Sequence, residues 1–410
     1  MATTGSSKHV VILGGGYVGT ACAKALDGND SVVVTMVDSR AVMVQKVPSL
    51  RATTNPGWVD AVLVPRDEVL KKGRSKGNKV VSARVASVDA AGKQVVLEDG
   101  SKLAYDFLVC ATGAQSQSPG EPPAACRSVA EMKAHYAEVY AALGRARSVA
   151  IIGGGVVGVE LAGEIADARP DLPVTIVHAG KKLLDQSAKP ALWDSFHTKI
   201  GAQLKDRKVT VLLGDRSNIS RDRFAGKSFI EGVGSFTTAS GKTVTADLVF
   251  NCTGTKPNSS IYPREWLTEQ GLVKVDAGLQ VEGAPGCFAC GDIVATDESK
   301  IAYTAINGQV PVVAKNILAL AAGAKLPKTY KPNTSVLMLV PLGNTGGCLV
   351  TPMGTAGAFF ARNVKGKQLF YEMGWDLSGL KKPKCPPLIA TKGVGAGPLP
   401  AANTDAVAIK

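Results

Sequence analysis

The sequence predicts an α/β fold with more than one domain, and three observations support this prediction. The chain has 410 residues, which is too long for a single domain with one hydrophobic core. Glycine is frequent, at 45 residues, and glycine clusters end several short apolar runs of the kind that form buried strands. The same strand–turn–helix–strand pattern also occurs twice along the chain.

Each copy of this pattern consists of a strand, a turn of the form Gly-x-Gly-x-x-Gly, a helix and a second strand. In the first copy these elements are predicted over residues 9–13, the turn Gly14, Gly15, Gly16 and Gly19, residues 21–26 and residues 31–37. In the second copy they are predicted over residues 148–152, the turn Gly153, Gly155 and Gly158, residues 160–168 and residues 174–177.

The glycines of such a turn have separate roles. The first permits the tight turn, the second lets backbone N–H groups approach a pyrophosphate, and the third lets helix and strand pack closely. The helix that follows contributes the partial positive charge of its N-terminus. One such motif is weak evidence, but two copies in the same context predict two Rossmann-like dinucleotide-binding domains.

The residue that ends the second strand distinguishes the two predicted sites. In the first copy it is Asp38, whose carboxylate can accept hydrogen bonds from a ribose diol, so this site suits an adenosine without a 2′-phosphate. In the second copy the aligned residue is His178, and Lys181 and Lys182 follow. With no carboxylate to repel a 2′-phosphate, NADPH fits this site at least as well as NADH, although the lysines also fit an ordinary charged surface.

Three further segments point to a known architecture. Residues 107–113, 247–258 and 286–292 contain apolar strands that run into Ala-Thr-Gly, Cys-Thr-Gly and Gly-Asp. With both glycine motifs, in this order, they resemble the two-dinucleotide-binding flavoprotein superfamily over residues 8–320. The resemblance implies FAD in the first site and NAD(P)H in the second. The implied site residues outside the glycine turns are Thr112, Gly113, Gly291 and Asp292 for FAD and Gly254 for NAD(P)H.

Within this superfamily the sequence is similar to the apoptosis-inducing-factor-like 2 and ferroptosis suppressor group. Those proteins are NAD(P)H:quinone oxidoreductases related to type II NADH dehydrogenases. The segments that carry the similarity are residues 45–52, residues 174–178 and residues 365–370, with Trp375 five positions further on.

This similarity implies a mechanism in which a hydride passes from NAD(P)H to the flavin and two electrons pass on to a quinone. Glu160 beside the nicotinamide and Lys365 beside the flavin are the implied catalytic residues, although an ordinary surface lysine fits position 365 equally well. Glu160 is also expected in the first turn of its helix, where a carboxylate complements the helix dipole. Arg51 and Val85 are implied FAD contacts. A helix over residues 303–320 is expected to direct its N-terminus at the flavin.

The sequence departs from that group in three places. Ala2 replaces the glycine that N-myristoylation needs. The chain continues well beyond the Trp375 segment, to Lys410. Gly308 and Pro311 interrupt the helix expected after Ser299, which predicts a kink.

No redox-active cysteine pair and no metal site are predicted. Residues 42–51, where glutathione reductases carry such a pair, contain no cysteine. Cys287 and Cys290 have C-x-x-C spacing but precede Gly291 within a strand, so we interpret them as buried small residues. Electrons are therefore expected to leave the flavin for a diffusible acceptor. The four histidines show no metal-ligand spacing.

The basic composition leaves two alternative functions open. The chain has 47 Lys+Arg against 34 Asp+Glu, a net charge of +13, which attracts nucleotides, nucleic acid, acidic proteins and anionic lipids. One alternative is a reductase for a ferredoxin-type partner. The other is a redox-responsive nucleic-acid-binding flavoprotein of the apoptosis-inducing-factor type, which is less favoured because no aromatic residues interleave with the scattered basic ones.

The sequence also predicts location and domain limits. A cytoplasmic protein is indicated, because the cysteines are scattered and the sequence shows neither an apolar span nor a targeting segment. Peripheral contact with a membrane or organelle surface and a homodimer are further expectations. Residues 381–389 suit either an anionic bilayer surface or a solvated tail. The predicted FAD-binding domain consists of residues 1–114 and 249–325, and the predicted NAD(P)H-binding domain consists of residues 115–248. A small C-terminal α+β region over 326–390, with strands at 335–340 and 357–360, is expected to cover the flavin. Residues 391–410 are predicted to be a disordered tail.

Overall fold

The computed structural model describes residues 7–66, 68–70, 77–184, 190–224, 226–325, 327–335 and 337–388, so the predicted tail over 391–410 lies outside the described residues. The α-helices are Tyr17–Leu26, Ser49–Thr54, Val59–Val62, Val129–Arg145, Val156–Ala168, Pro190–Asp206, Ala302–Thr304, Val310–Ala321, Ala358–Ala361 and Glu372–Ser378. Two π-helical turns, Ala305–Gln309 and Arg362–Gly366, continue two of them. In the described part of the chain, no helix combines the length and the apolar character that a membrane crossing requires.

A five-stranded parallel sheet forms the centre of the first Rossmann-like domain. Its strands, in spatial order, are Cys287–Ala289, Phe107–Cys110, Lys8–Leu13, Val32–Asp38 and Lys79–Ser82. The central strands are apolar on both faces because both faces are covered. Helices Tyr17–Leu26 and Val310–Ala321 cover one face, and a small antiparallel sheet covers the other. The strands of that small sheet are Val85–Asp89, Gln94–Leu97 and Lys102–Ala104.

A second five-stranded sheet repeats this architecture. Its strands, in spatial order, are Val209–Leu213, Val174–His178, Val149–Ile152, Thr243–Asn251 and Phe229–Thr237, and only the last pairing is antiparallel. The predicted α/β class with two Rossmann-like domains is therefore confirmed. The chain enters this domain through Ala114–Ser116 and leaves it through Thr255–Pro257, and these two segments pair as an antiparallel ribbon.

The third region packs against the second domain and is also attached to the first. Its antiparallel sheet consists of Met338–Leu342, Gly346–Thr351 and Gly354–Ala356. Val340 and Leu342 are fully buried in the same apolar core as the helix Val156–Ala168. The third region therefore completes the core of the second domain.

Gln45 provides one attachment of the third region to the first domain. Its fully buried amide donates to the carbonyl oxygens of Ala61 and Tyr371, both at 2.8 Å. Its Oε1 accepts the backbone N–H of Gly374 at 2.9 Å. The pair Val42–Val44 and Leu63–Pro65 forms the adjoining two-stranded sheet.

Three local predictions are corrected by the structure. Both helices after the glycine turns begin earlier than predicted, at Tyr17 and Val156, so Glu160 lies in the second turn of its helix rather than the first. Residues 357–360 were expected as a strand but form the helix Ala358–Ala361, because a four-residue apolar run has no period that separates helix from strand. The strand expected over 335–340 is Met338–Leu342, with residue 336 outside the described residues.

The interruption predicted at Gly308 and Pro311 takes the form of a π-helical turn. The helical run continues from Ala302 to Ala321 and widens over Ala305–Gln309, while Pro311 lies in the first turn of the next α-helix, where it needs no hydrogen-bond acceptor.

The contact of the third region with the second domain depends on Gly163, and this predicts the effect of a substitution. A Cβ on Gly163 would lie 2.5 Å from Cα of Leu342, so Gly163→Ala forces the two elements apart and should lower the free energy of unfolding by about 1–3 kcal/mol. Gly144 is a matched control, because it is also helical but a Cβ there meets no atom within 4 Å.

Gly144→Ala should raise the free energy of unfolding by about 0.5–1 kcal/mol, since alanine is the better helix former. Denaturant unfolding of both variants checks the difference. Equal effects of the two substitutions would contradict the close contact at Gly163.

Candidate nucleotide and active sites

The two glycine turns have nearly the same geometry. Gly14 and Gly153 have φ angles of +102° and +111°, and a Cβ at either would lie 2.4 or 2.5 Å from a backbone carbonyl oxygen of the neighbouring strand. A Cβ on Gly19 would lie 1.8 Å from the oxygen of Gly14, and Gly158 repeats this approach to Gly153 at 1.9 Å. These four glycines are therefore required by the backbone itself.

The middle glycines are different, because they face open space. A Cβ on Gly16 or Gly155 would meet no atom of the described residues within 4 Å. Each of these residues is the N-cap of the following helix and gives it no side-chain hydrogen bond. The first-turn N–H groups of both helices are therefore available to an anion such as a pyrophosphate.

A cavity of about 320 Å³ adjoins the first turn. Eight of the eleven predicted FAD residues line it, namely Gly14, Gly16, Asp38, Val85, Thr112, Gly113, Gly291 and Asp292. Ala302 also lines it, so the helical run from Ala302 begins at the cavity as predicted. The π-helical turn places the buried Gln309 so that its Oε1 accepts the N–H of Gly291 at 2.7 Å.

In the described part of the chain, the other three predicted residues, Gly15, Gly19 and Arg51, do not line this cavity. Gly19 packs its helix against the turn, and Gly15 donates its N–H to Asp38 at 2.7 Å. Arg51 is buried elsewhere, with Nη2 2.7 Å from Oε1 of Glu164 in the second domain. The structure therefore gives Arg51 a partner between domains instead of a position at the cavity.

Arg66 is a site residue that the sequence interpretation missed. Its Nη1 lies 3.0 Å from Oδ1 of Asp38, and its side chain covers Gly15. Burial lowers the pKa of Arg66, while the carboxylate of Asp38 opposes that change. Its buried Nε has no hydrogen-bond partner among the described residues, which fits an acceptor on a bound nucleotide. No motif marks this arginine, since it follows a short strand without periodicity.

Lys46 is a second residue that the sequence interpretation did not assign. It lines the cavity and forms an ion pair with the buried Glu121 at 3.1 Å. Its ammonium group also donates to the carbonyl oxygen of Ala114, at the ribbon between the two domains. A cationic group therefore faces the cavity from the side where the two domains meet.

His178 takes the structural place of Asp38 in the second unit. The N–H of Gly154 donates to its Nδ1 at 3.0 Å, as the N–H of Gly15 does to Asp38. An imidazole that accepts through Nδ1 is neutral, so this position carries no negative charge. Lys181 is exposed, and Gly254, with a φ of +69°, follows the strand at the same edge of the sheet.

The two predicted catalytic residues, 205 positions apart, form an ion pair. Nζ of Lys365 lies 2.8 Å from Oε1 of Glu160, and both side chains are largely buried. Burial raises the pKa of Glu160, whereas the ammonium of Lys365 opposes that rise. The interpretation of Lys365 as an exposed surface lysine is therefore wrong.

The cysteines form no disulfide. All eight lie in the described residues and are free. Cys287 and Cys290 are buried as predicted, and burial raises the pKa of Cys287 to about 11, so this thiol stays protonated. Sγ of Cys290 lies 3.5 Å from Sγ of Cys22 on the adjacent helix, within the apolar layer.

A family model described as pyridine nucleotide-disulphide oxidoreductase matches residues 8–310. The chain belongs to this family. It is therefore an NAD(P)H-dependent flavin oxidoreductase, and its cofactors are FAD and NAD(P)H. The glycine turns, the Asp38 carboxylate and the unpartnered Nε of Arg66 fit such a dinucleotide at the first site.

Individual relatives agree with the resemblance found in the sequence. The chain is 32% identical over 403 residues to apoptosis-inducing factor homolog B of Dictyostelium discoideum, which covers 94% of this chain and 100% of that protein. It is 29% identical over 372 residues to ferroptosis suppressor protein 1 of Homo sapiens, which covers 90% and 95%.

Solved structures share the fold at low sequence identity. The sulfide:quinone oxidoreductase from Aquifex aeolicus matches with a TM-score of 0.68 and 18% identity, covering 92% of this chain and 93% of that one. The water-forming NADH oxidase from Lactobacillus brevis, bound to NADH, matches with a TM-score of 0.64 and 20% identity, covering 84% and 75%.

The open middle glycines allow the two sites to be tested separately. Gly16→Ala should leave the unfolding of the apoprotein unchanged but weaken FAD binding roughly tenfold or more, because the new methyl occupies the anion position; a factor of ten corresponds to about 1.4 kcal/mol. Gly155→Ala should keep FAD and weaken NAD(P)H binding instead. Flavin absorbance and nucleotide titration check this, and loss of FAD from the second variant would contradict the assignment.

Proposed function

We propose that the protein is an FAD-dependent NAD(P)H:quinone oxidoreductase. One observation carries the proposal: the short helical segment that begins with Ala358–Ala361 joins the predicted catalytic pair to an apolar surface. Lys365 reaches inward from it to Glu160, whereas Phe359 and Phe360 are 75% and 55% exposed. An apolar acceptor therefore has an apolar approach next to the buried pair.

The same surface supports peripheral contact with a membrane. Val364, one turn after Phe360, is 50% exposed, and Met353, in the turn between two strands of the adjoining sheet, is 95% exposed. Exposed apolar side chains of this size, with the exposed basic residue Arg362 in the same helical segment, suit the interface of an anionic bilayer. A quinone dissolved in the bilayer would then reach the protein at this surface.

Two further observations support a quinone as acceptor. The free cysteines include no redox pair beside the cavity, so electrons need a diffusible acceptor. The fold likeness to a sulfide:quinone oxidoreductase extends over 92% of this chain. At 18% identity this likeness concerns the fold alone.

The chain's own residues have distinct parts in this reaction. FAD, when bound, would supply the redox chemistry of hydride acceptance from NAD(P)H and two-electron transfer to the acceptor. The turn at Gly155 binds the nucleotide pyrophosphate, and neutral His178 leaves room for either NADH or NADPH. Lys365 holds a positive charge beside Glu160, and burial raises the pKa of that carboxyl while the ammonium of Lys365 opposes the rise.

An anaerobic assay tests the proposal. NADH or NADPH should bleach the flavin of the purified holoprotein, and a ubiquinone analogue should then restore its absorbance. A Phe359→Ser/Phe360→Ser variant should lose turnover with a long-chain quinone in anionic vesicles and keep it with a water-soluble quinone. Quinone turnover no faster than turnover with oxygen alone would overturn the proposal, and rapid reduction of a ferredoxin would favour the alternative.

The ion pair provides a second test. Lys365→Met should slow flavin reduction by NAD(P)H roughly 10–100-fold, because it removes a fixed positive charge from a buried site. FAD content should not change, since Lys365 does not line the FAD cavity. Lys367→Met is the matched control: the ammonium of Lys367, two positions further on, is exposed and donates to Asn363 at 2.8 Å. Stopped-flow absorbance measures both, and equal rates for the two variants would contradict a role of Lys365.

A further inference from the structure

One arginine side chain contacts all three parts of the molecule. Arg51 belongs to the helix Ser49–Thr54 of the first domain and is 3% exposed. Its guanidinium pairs with Glu164 of the second domain, with Nε 3.0 Å from Oε2 and Nη2 2.7 Å from Oε1. Its Nη1 donates to the backbone oxygen of Lys367 in the third region at 3.1 Å. The guanidinium also lies 5.0 Å from the ring centre of Trp58.

Both groups that Arg51 contacts outside its own domain are neighbours of the predicted catalytic pair. Glu164 follows Glu160 by four residues in the same helix, so their side chains lie on the same helix face. Lys367 follows Lys365 by two residues, at the end of the π-helical turn Arg362–Gly366. The guanidinium of Arg51 therefore holds both the helix that carries Glu160 and the turn that carries Lys365.

We propose that Arg51 is a positioning residue for hydride transfer, which sets the Glu160–Lys365 contact by fixing the helix of Glu160 and the turn of Lys365 to the first domain. The inference rests on the NAD(P)H half of the proposed function and does not depend on the acceptor. It also differs from the expectation that Arg51 holds FAD, because the guanidinium is hydrogen-bonded to Glu164 of the second domain and to the backbone of Lys367 in the third region.

The charges around Glu160 give this role a measurable signature. Among the described residues, three charged groups act on Glu160: Lys365 from the third region, Glu164 from its own helix and Arg51 from the first domain. Burial raises the pKa of Glu160, Lys365 and Arg51 lower it, and Glu164 raises it. Loss of Arg51 should therefore move proton uptake by Glu160 to higher pH, and loss of the Glu164 charge should move it to lower pH.

A second ion pair on the same helix is a matched control. Asp167 lies one turn after Glu164 and pairs with Arg207 at 3.3 Å. It also accepts the N–H of Asn344 at 2.9 Å, so this pair too holds the helix to the third region. Arg207→Met removes a comparable contact that does not face Glu160. If Arg51 only stabilises the fold, Arg207→Met and Arg51→Met should behave alike.

The experiment compares Arg51→Met, Glu164→Gln and Arg207→Met holoproteins. An infrared titration of the protonated carboxyl band, assigned by its loss in Glu160→Gln, reads the Glu160 proton without any turnover. We expect a shift to higher pH in Arg51→Met, a shift to lower pH in Glu164→Gln and none in Arg207→Met. Anaerobic flavin reduction should slow roughly 10–100-fold in Arg51→Met, with the FAD content of the wild type.

The outcomes separate this inference from the proposed function. Shifts in the same direction for Arg51→Met and Glu164→Gln, or loss of FAD from Arg51→Met alone, would overturn the positioning role. A wild-type flavin that neither NADH nor NADPH reduces would instead refute the proposed function. Should Arg51→Met not fold, Arg51→Lys replaces it: it keeps the charge and loses the guanidinium, so the infrared titration should stay in place while flavin reduction slows.

Discussion

The structure depends on two places where a helix starts against the end of a strand with no side chain between them. At Gly19 and Gly158 the helix backbone lies so close to the turn that a Cβ would overlap a carbonyl oxygen, at 1.8 and 1.9 Å. This close contact directs the free N–H groups of each helix at a point beyond the sheet edge, where an anion can bind. The other parts of both sites are arranged around these two points.

The residues close in sequence to the turns could be predicted, because turn chemistry and apolar period are local properties. The two sheets, the glycine roles and Asp38 at the end of its strand all follow from about 30 residues of context. Arg66 and Gln45 could not be found in this way, since their contacts join segments without periodicity that are far apart in the chain. Residues 357–360 were misassigned because a short apolar run forms a helix or a strand according to what it packs against.

The helix Val156–Ala168 shows how buried charge can organise an interface. Three of its carboxylates, from Glu160, Glu164 and Asp167, each pair with a cation from a different segment. Buried ion pairs add little net stability, because desolvation opposes the attraction, but a pair that loses one partner is strongly disfavoured. Such pairs therefore select one relative arrangement of the parts, whereas an apolar surface would tolerate several.

The third region is packed against both domains. Val340 and Leu342 belong to the core of the second domain, and the backbone around Tyr371 and Gly374 is held by Gln45 of the first. A rigid-body swing of the two domains would have to break one of these attachments, each of them fully buried. These attachments oppose a change in the angle between the two nucleotide sites, which favours exchange of the spent pyridine nucleotide through local movements of side chains and loops.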